Sequence, residues 1–223
     1  MTEVAIDELV RTKRKTLALV LNTKGELIVR APLFTSLDYI NKFIKKHSSW
    51  IIKKKEKINK LTPVIEKQFI DGEEFLYLGQ KYKLRFVDNS KLGIQLNSDL
   101  ELPKRFYNNA EQKITGWYKQ QAKLQIEDLL KKRSYSTGIK YNSIKITSAK
   151  TRWGSCTCKG VLCFSWRLVM APIDVIDYVV VHELVHIIQK DHSKKFWSKV
   201  EKIVPDYKDK RKWLKVNGRE LTI

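Results

Sequence analysis

Long apolar runs and glycine-rich loops are both missing from this sequence of 223 residues. No apolar run reaches the roughly 18 residues that a membrane-spanning helix needs. None of the nine glycines belongs to a loop of the kind that cradles phosphates. The first ten residues, MTEVAIDELV, carry no basic and apolar leader. We therefore expect a cytoplasmic protein that is not bound to a membrane.

Cysteine is also scarce. The three cysteines, Cys156, Cys158 and Cys163, are odd in number and lie close together. This pattern favours reduced thiols in a cytosolic protein over a disulfide framework. A metal site built from them is a weak hypothesis, because no fourth ligand accompanies the three and small buried cysteines are common.

Acidic residues are too few to balance the basic ones. Lys and Arg number 44 against 24 Asp and Glu, which gives a net charge of +20 that is spread along the chain. Such a charge attracts anions, so we expect an anionic or peptide substrate. Nucleic acid is an open alternative, although no recognition motif with interleaved aromatic residues supports it. A lysine-rich composition that only keeps the protein in solution is the other interpretation.

Only four histidines occur, and three of them, His182, His186 and His192, lie within eleven residues. The surrounding run, residues 173–188, is apolar on most of its surface and predicts a buried helix. On this helix His182 and His186 lie one turn apart and can direct their nitrogens at one ion. The neighbouring Glu183 is then placed to activate a metal-bound water, as in the HExxH arrangement. A metal would satisfy all three buried groups, each of which would cost roughly 2 kcal/mol or more if left without a partner.

The third ligand is less directly indicated. On a continuous helix His192 would lie about 120° from the ligand face. The helix must therefore end or bend before His192, and a second helix is predicted from Lys194 to Val204 with Ser193 as its cap. Since catalytic zinc usually takes three protein ligands and one water, His192 is the preferred third ligand. Glu201 on the second helix is the alternative.

The spacing HExxHxxxxxH matches the ligand pattern of metzincins, but two other features of that group are missing. Gln189 stands where metzincins have their bending glycine. The only methionines, Met1 and Met170, leave no Met-turn downstream of the motif. The chain is therefore not an ordinary metzincin.

The rest of the chain predicts an α+β fold in two parts. Residues 1–103 are expected to form a small β-rich N-terminal subdomain, with a β-hairpin over residues 15–30, a helix over residues 36–57 and a small antiparallel sheet. Residues 104–223 are expected to form a zincin-like catalytic domain. There a helix over residues 107–132 precedes a short sheet on which the HExxH helix packs. The predicted strands are 74–78, 81–87 and 92–96 in the first part, and 143–147, 151–158 and 161–169 in the second.

Several segments resemble the YgjP-like family of metal-dependent hydrolases, which are of the zincin-like, HExxH metallopeptidase type. They are TRWGSC (151–156), SWRL (165–168), VIDYVVVHELVH (175–186) and DHSKKFW (191–197), with RTKRKTLAL, GELIVRAP, FLYLGQKYKLR and WLKVNG extending the resemblance over nearly the full chain. The resemblance implies that His182, His186 and His192 bind one zinc ion per chain and that Glu183 is the catalytic base. The family name rests on HExxH, and at least one member is described as a UTP pyrophosphatase.

Three hypotheses about function follow. The first is a zinc-dependent hydrolase, most directly a metallopeptidase, in which Glu183 takes a proton from the metal-bound water. The second is a nucleoside triphosphate (UTP) pyrophosphatase that uses the same metal site. The third is a non-enzymatic nucleic-acid-binding protein with a structural zinc, although structural zinc usually has four protein ligands. The substrate-binding candidates are Arg152, Trp153 and Tyr178. The candidates for stabilising an oxyanion are Arg152, Arg167, Tyr178 and Tyr207.

Overall fold

The computed structural model describes residues 5–22, 25–59, 67–88 and 93–223, which form a mixed α+β fold. The α+β class predicted from the sequence is confirmed. The chain divides into two compact units, Met1–Ile65 and Glu66–Ile223. This division falls well before the predicted boundary at Pro103, so the sheet that follows residue 66 belongs to the larger unit.

The smaller unit is built on a three-stranded sheet. Its strands are β1 (Glu8–Thr12), β2 (Ala18–Leu21) and β3 (Leu27–Pro32), in the order β1-β3-β2. The antiparallel pair of β2 and β3, in which Ala18 lies opposite Arg30, is the predicted hairpin. Residues 23 and 24, between these two strands, lie outside the described residues. Strand β1, which pairs parallel to β3, was not predicted.

The helix predicted over residues 36–57 is in fact two helices, α1 (Leu37–Lys46) and α2 (Ser48–Asn59). His47 separates the two helices as the C-cap of α1, and its N–H donates to the carbonyl of Ile44 at 3.0 Å. No glycine or proline lies in this segment, so the amino-acid pattern carries no sign of the break. The core of this unit consists of Leu27, Val29, Ala31, Ile40, Ile44 and Ile51.

The larger unit begins with a mixed sheet. Its strands are β4 (Glu74–Tyr77), β5 (Gln80–Val87), β6 (Gln95–Leu96) and β7 (Leu100–Pro103), in the order β4-β5-β7-β6. Strands β5 and β7 are parallel, so the sheet is not the purely antiparallel one that the sequence predicts. The prediction missed β7, although Leu100 and Leu102 alternate and are both buried. The predicted strand 92–96 is reduced to β6, and its first residue lies outside the described residues.

The tip of the β4–β5 hairpin contacts the segment that leads into the HExxH helix. Leu78 and Gly79 have positive φ angles of 48° and 80°, as the two central residues of a type I′ turn require. Their N–H groups donate to the carbonyls of Val169 and Met170 at 2.9 and 3.0 Å. A Cβ on Gly79 would lie 2.8 Å from Cγ of Pro172. The hairpin therefore fixes the backbone immediately before the HExxH helix, which explains why this sheet packs with the larger unit.

A 28-residue helix, α3 (Ala110–Thr137), runs through the core of the larger unit. A 3₁₀ turn over Lys104–Asn109 precedes it, so it begins later than the predicted helix 107–132. Gly138, with φ of 71°, ends it as a left-handed cap. Its buried stripe recurs every four residues and consists of Ala110, Ile114, Tyr118, Ala122, Ile126 and Leu130. Within the ranges that the structure describes, no helix combines the length and the apolar character needed to cross a membrane.

A three-stranded sheet precedes the HExxH helix. Its strands are β8 (Ser143–Thr147), β9 (Gly154–Cys156) and β10 (Val161–Ser165), in the order β8-β10-β9. Strand β8 has the predicted limits. The predicted strand 161–169 ends at Ser165 because a 3₁₀ turn, Trp166–Met170, follows it. Strand β9 lies at the edge of this sheet, antiparallel to β10.

Three helices complete the larger unit, α4 (Ile173–Val185), α5 (Lys194–Ile203) and α6 (Tyr207–Asn217). Helix α4 packs against α3, α5, α6 and β9, which explains its nearly continuous apolar sequence. One charged side chain of α4, Asp177, is only 9% exposed. It accepts two hydrogen bonds from the guanidinium of Arg133 on α3, at 2.8 and 2.5 Å. This bidentate pair fastens α4 to α3.

Changing Asp177 to asparagine is expected to destabilise the larger unit. Arg133 would lose its counter-charge and one of two hydrogen bonds, at a cost of roughly 2–3 kcal/mol in the free energy of unfolding. The matched control is Asp128→Asn, because Asp128 pairs with Lys132 at 2.6 Å on the exposed surface of α3. The control should cost less than about 0.5 kcal/mol. Urea denaturation measures both, and equal losses would contradict a special role for the buried pair.

Candidate metal centre

The helix that carries HExxH ends earlier than the apolar pattern predicts. Helix α4 ends at Val185, and the N–H of Ile188 donates to the Val185 carbonyl at 3.1 Å, which tightens the turn. Ser193 then occupies the N-cap position of α5, as predicted, although its side chain makes no capping hydrogen bond. The bend that the spacing of the histidines requires is therefore present, and it brings His192 back beside α4.

Asp191 and Gln189 hold the turn that carries His192. Oδ1 of Asp191 accepts hydrogen bonds from Nε2 of Gln189 at 2.7 Å and from the backbone N–H of Ser193 at 3.2 Å. Hydrogen bonds from Ser193 and then from Gln189 hold the pKa of Asp191 below its usual range. Gln189, which stands at the position of the metzincin glycine, thus contributes its side chain to the bend.

Three imidazole nitrogens converge at the end of α4. Nε2 of His192 lies 3.0 Å from Nε2 of His182 and 3.1 Å from Nε2 of His186. Nδ1 of His186 lies 3.0 Å from the carbonyl oxygen of Gln189, which can only accept, so Nδ1 carries the hydrogen and Nε2 keeps its lone pair. A single proton on Nε2 of His192 can satisfy only one of its two neighbours. A cation placed between the three rings would satisfy them all.

The cluster fits a tetrahedral metal ion with nitrogen ligands. Zinc–nitrogen bonds of about 2.0–2.1 Å hold tetrahedral ligand atoms roughly 3.4 Å apart, close to the separations found here. Burial lowers the pKa of His182 to about 3, and the charges of His186, His192 and Arg211 act in the same direction. Burial also lowers the pKa of His186. Neutral imidazoles are the form that binds metal, and in the described part of the chain no cysteine or carboxylate joins these three.

Phe196 and Trp197 of α5 form a wall beside the three histidines. The ring of Phe196 lies 4.9 Å from His182, 4.5 Å from His186 and 4.8 Å from His192, measured between ring centroids. Nδ1 of His182 is buried and has no hydrogen-bond partner among the described residues, so packing orients this ring. Both aromatic residues lie in the segment DHSKKFW together with His192, and this proximity is the available sign in the sequence of a role at the site.

Glu183 lies beside the histidines on a buried side of α4. Its side chain is 5% exposed, and this burial raises its pKa to about 8, against the opposing charge of Arg152. A carboxyl group that titrates near neutral pH can both accept and return a proton. The side chain packs against Gly154 of the edge strand β9, where an added Cβ would lie 2.5 Å from Cγ of Glu183. The predicted general base is therefore enclosed between α4 and β9.

The three predicted substrate-binding residues differ in their surroundings. Arg152 is exposed. Trp153 is half-buried and packs against Gly218, where an added Cβ would lie 2.9 Å from Cζ2 of the indole. The ring of Tyr178 lies 6.0 Å from that of His182, and burial raises the pKa of Tyr178 to about 12. Tyr178 thus borders the metal cluster, and Arg152 acts on Glu183 through its charge, whereas Trp153 has the contacts of a packing residue.

Two other candidates from the sequence are held by structural contacts. The guanidinium of Arg167 lies 4.2 Å from the ring centroid of Trp166 and donates to the Ser148 carbonyl at 3.1 Å. Glu201, the alternative third ligand, forms an ion pair with Lys208 at 3.6 Å and is not part of the histidine group. Neither residue has a contact that directs it toward the metal cluster.

The sequence prediction missed Arg211 on α6. Its guanidinium carbon lies 4.9 Å from the centroid of the Trp197 ring, which in turn stacks on Tyr207 at 5.2 Å. Its charge adds to the effect of burial in lowering the pKa of His182. In the described ranges neither Arg211 nor Arg152 forms an ion pair with a carboxylate. Helix α6 is rich in lysine throughout, so nothing in its sequence distinguishes Arg211.

An α+β domain in which three imidazoles converge beside a buried glutamate has the ligand set of a metal-dependent hydrolase. The model of the YgjP-like family, metallopeptidase domain, matches residues 15–217, and the chain belongs to this family. It is therefore a metal-dependent hydrolase of the metallopeptidase type. Among solved structures, the metallopeptidase zymogen abylysin from Pyrococcus abyssi is similar, with 24% identity and a TM-score of 0.36 over 41% of this chain and 95% of abylysin. The curated proteins contain no significant match.

Proposed function

We propose that this protein is a zinc-dependent peptidase that binds one zinc ion per chain through His182, His186 and His192 and uses Glu183 as its general base. The observation that carries the proposal is the convergence of three imidazole nitrogens, separated by 3.0 and 3.1 Å, next to a glutamate that is 5% exposed. Imidazole ligands favour zinc over magnesium or calcium, which prefer oxygen ligands. A three-ligand set leaves the fourth position that catalytic zinc needs.

The side chains around the cluster have separate tasks in such a reaction. Zinc, when bound, lowers the pKa of a coordinated water and polarises the carbonyl group to be attacked. Glu183 would take the proton of the attacking water and pass it to the leaving amine. Tyr178, whose ring lies 6.0 Å from that of His182, and Arg152, whose charge acts on Glu183, are the candidates for stabilising the developing oxyanion. Phe196 packs against all three histidine rings and is itself fully buried.

The surroundings of Glu183 favour a peptide substrate over a nucleotide. Strand β9 lies at the edge of its sheet and packs against α4 beside Glu183, so an extended peptide can pair with it. Arg152 and Arg211 form no close ion pair with a carboxylate among the described residues, so their charges can attract acidic side chains or a terminal carboxylate. Trp153, the residue that could stack on a base, is half-buried and packs against Gly218.

We also propose that the protein acts in the cytoplasm. All three cysteines are unpaired in the structure. Free thiols are typical of a reducing compartment. Fractionation of cells that produce the full-length protein, followed by immunoblotting, tests the assignment. Recovery in a secreted or envelope fraction would contradict it.

A product-resolved screen tests the peptidase proposal. The zinc-loaded protein is incubated with unfolded protein and, separately, with the four nucleoside triphosphates, and release of peptides and of pyrophosphate is measured. We expect peptide release that stops when a chelator removes the metal and returns when zinc is restored. Pyrophosphate release with the same metal dependence, without peptide release, would replace the peptidase proposal by the pyrophosphatase. Absence of both reactions would contradict both enzyme hypotheses.

A further inference from the structure

Gly154 on the edge strand β9 lies directly against the carboxyl group of Glu183. An ideal Cβ on Gly154 would lie 2.5 Å from Cγ, 2.6 Å from Oε1 and 2.7 Å from Cδ of Glu183. Real Cβ atoms essentially never approach other heavy atoms within 3.0 Å. The space that any side chain at position 154 would need is therefore occupied by the group that we propose as the general base.

An added Cβ at position 154 would have to displace the Glu183 side chain, because the backbone of β9 is held by its pairing with β10. Gly154 lies opposite Phe164 in the pairing of β9 with β10, and Phe164 is fully buried, so this face of β9 points into the core. Glu183 sits on a helix that is buried along most of its length. Close-packed interiors accommodate added atoms poorly.

Backbone conformation does not explain the glycine. Gly154 is not among the glycines with positive φ, so its backbone is one that other residues adopt. The remaining explanation for a glycine at position 154 is that it has no side chain. Three atoms of the Glu183 side chain, Cγ, Cδ and Oε1, lie inside contact distance of the Cβ position. This is the reason that position 154 must be small.

We propose that Gly154 is a positioning residue for Glu183. Because Gly154 has no side chain, the Glu183 carboxylate can lie close to β9, between this strand and α4. This closeness fixes the position of the carboxylate beside the three histidines. The inference rests on the proposed role of Glu183 as the base. It also gives a physical reason for the glycine of TRWGSC, which the metal ligands alone leave unexplained.

The first test is a thermal unfolding cycle, which needs no substrate. In the zinc-loaded protein, Gly154→Ala is expected to lower the melting temperature by roughly 3–10 °C, as overpacking of a core does. In a Glu183→Ala background the colliding side chain is gone, and the same change should cost less than roughly 2 °C. Gly116→Ala on α3 is the control, because a Cβ there meets nothing within 4 Å. Equal losses in both Glu183 backgrounds would overturn the proposal.

The second test measures hydrolysis of unfolded protein at equal zinc content. Gly154→Ala is expected to lower the rate by about 100-fold, the effect of misplacing a catalytic group by about 1 Å, with one zinc still bound per chain. Glu183→Asp shortens the acid and leaves room for the added methyl, so Gly154→Ala should cost much less in that background. An unchanged rate for Gly154→Ala, or losses that simply multiply in the double variant, would contradict the positioning role.

The two tests also separate this inference from the proposed function. If the wild-type protein hydrolyses no peptide, the peptidase proposal fails, while the thermal cycle still decides whether Gly154 and Glu183 are coupled. If Gly154→Ala alone does not fold, recovery of folded protein on adding Glu183→Asp would support the coupling. Failure of the double variant to fold would overturn it.

Discussion

Changing Glu183 to glutamine is expected to lower the rate of peptide hydrolysis by about 100- to 10,000-fold, the usual contribution of a general base. The amide fills the same space against Gly154 but cannot take a proton from the attacking water. Zinc content should stay near one per chain, because the three converging nitrogens belong to His182, His186 and His192. Initial rates and metal content are measured on the same samples, so that loss of chemistry is separated from loss of metal.

Glu201→Gln is the matched control for this experiment. Glu201 lies on α5, is exposed, and its one ion pair, with Lys208 at 3.6 Å, is of the kind that contributes little to stability. The same chemical change there should leave both the rate and the zinc content as in the wild type. If Glu183→Gln loses its zinc together with its activity, Glu183 is a ligand or a determinant of the fold, and its assignment as the base is wrong.

The convergence of the histidines could be predicted because most of its geometry is local. The spacing of His182 and His186 places both on one face of any α-helix, whatever the rest of the fold. The step to His192 demands a bend, and the structure has that bend immediately after Val185. The geometry of the bend could not be predicted from the sequence, because it depends on hydrogen bonds that Asp191 accepts within the turn.

Contacts between distant segments account for most of what the sequence did not reveal. Strand β1 pairs parallel to β3 and β5 parallel to β7, and alternation within one strand does not identify a distant parallel partner. The break between α1 and α2 at His47 has no glycine or proline to mark it. The boundary predicted at Pro103 fails to match the packing because the tip of the β4–β5 hairpin docks against Val169 and Met170, far along the chain.

The residues around the metal cluster could not be predicted either, because they too come from distant segments of the chain. Gly154 comes from β9, Phe196 from α5 and Arg211 from α6, and each reaches the site only through the packing of its element against or near α4. Arginine is ordinary in a basic helix and phenylalanine on an apolar helix face. A glycine inside a strand does indicate that another group approaches closely, but the sequence does not say which group. Only the tertiary structure separates these residues from their neighbours.

Changing His192 to alanine is expected to weaken zinc binding by more than about 100-fold. Loss of a residue that merely supports a ligand costs about 10- to 100-fold in metal affinity, and His192 supplies the nitrogen that lies within 3.0 and 3.1 Å of the other two. Glu201→Ala, which removes the competing third ligand, should leave zinc affinity unchanged. Competition with a chromophoric chelator at neutral pH measures both variants.

A thermal shift gives an independent answer to the same question. A ligand that binds only the folded state raises the melting temperature, so zinc should stabilise the wild type and the Glu201→Ala variant alike. His192→Ala should lose most of this zinc-dependent shift, while its melting temperature without metal stays close to that of the metal-free wild type, because His192 is exposed. The opposite pattern, with the shift kept in His192→Ala and lost in Glu201→Ala, would make Glu201 the third ligand and require α5 to turn toward α4 when metal binds.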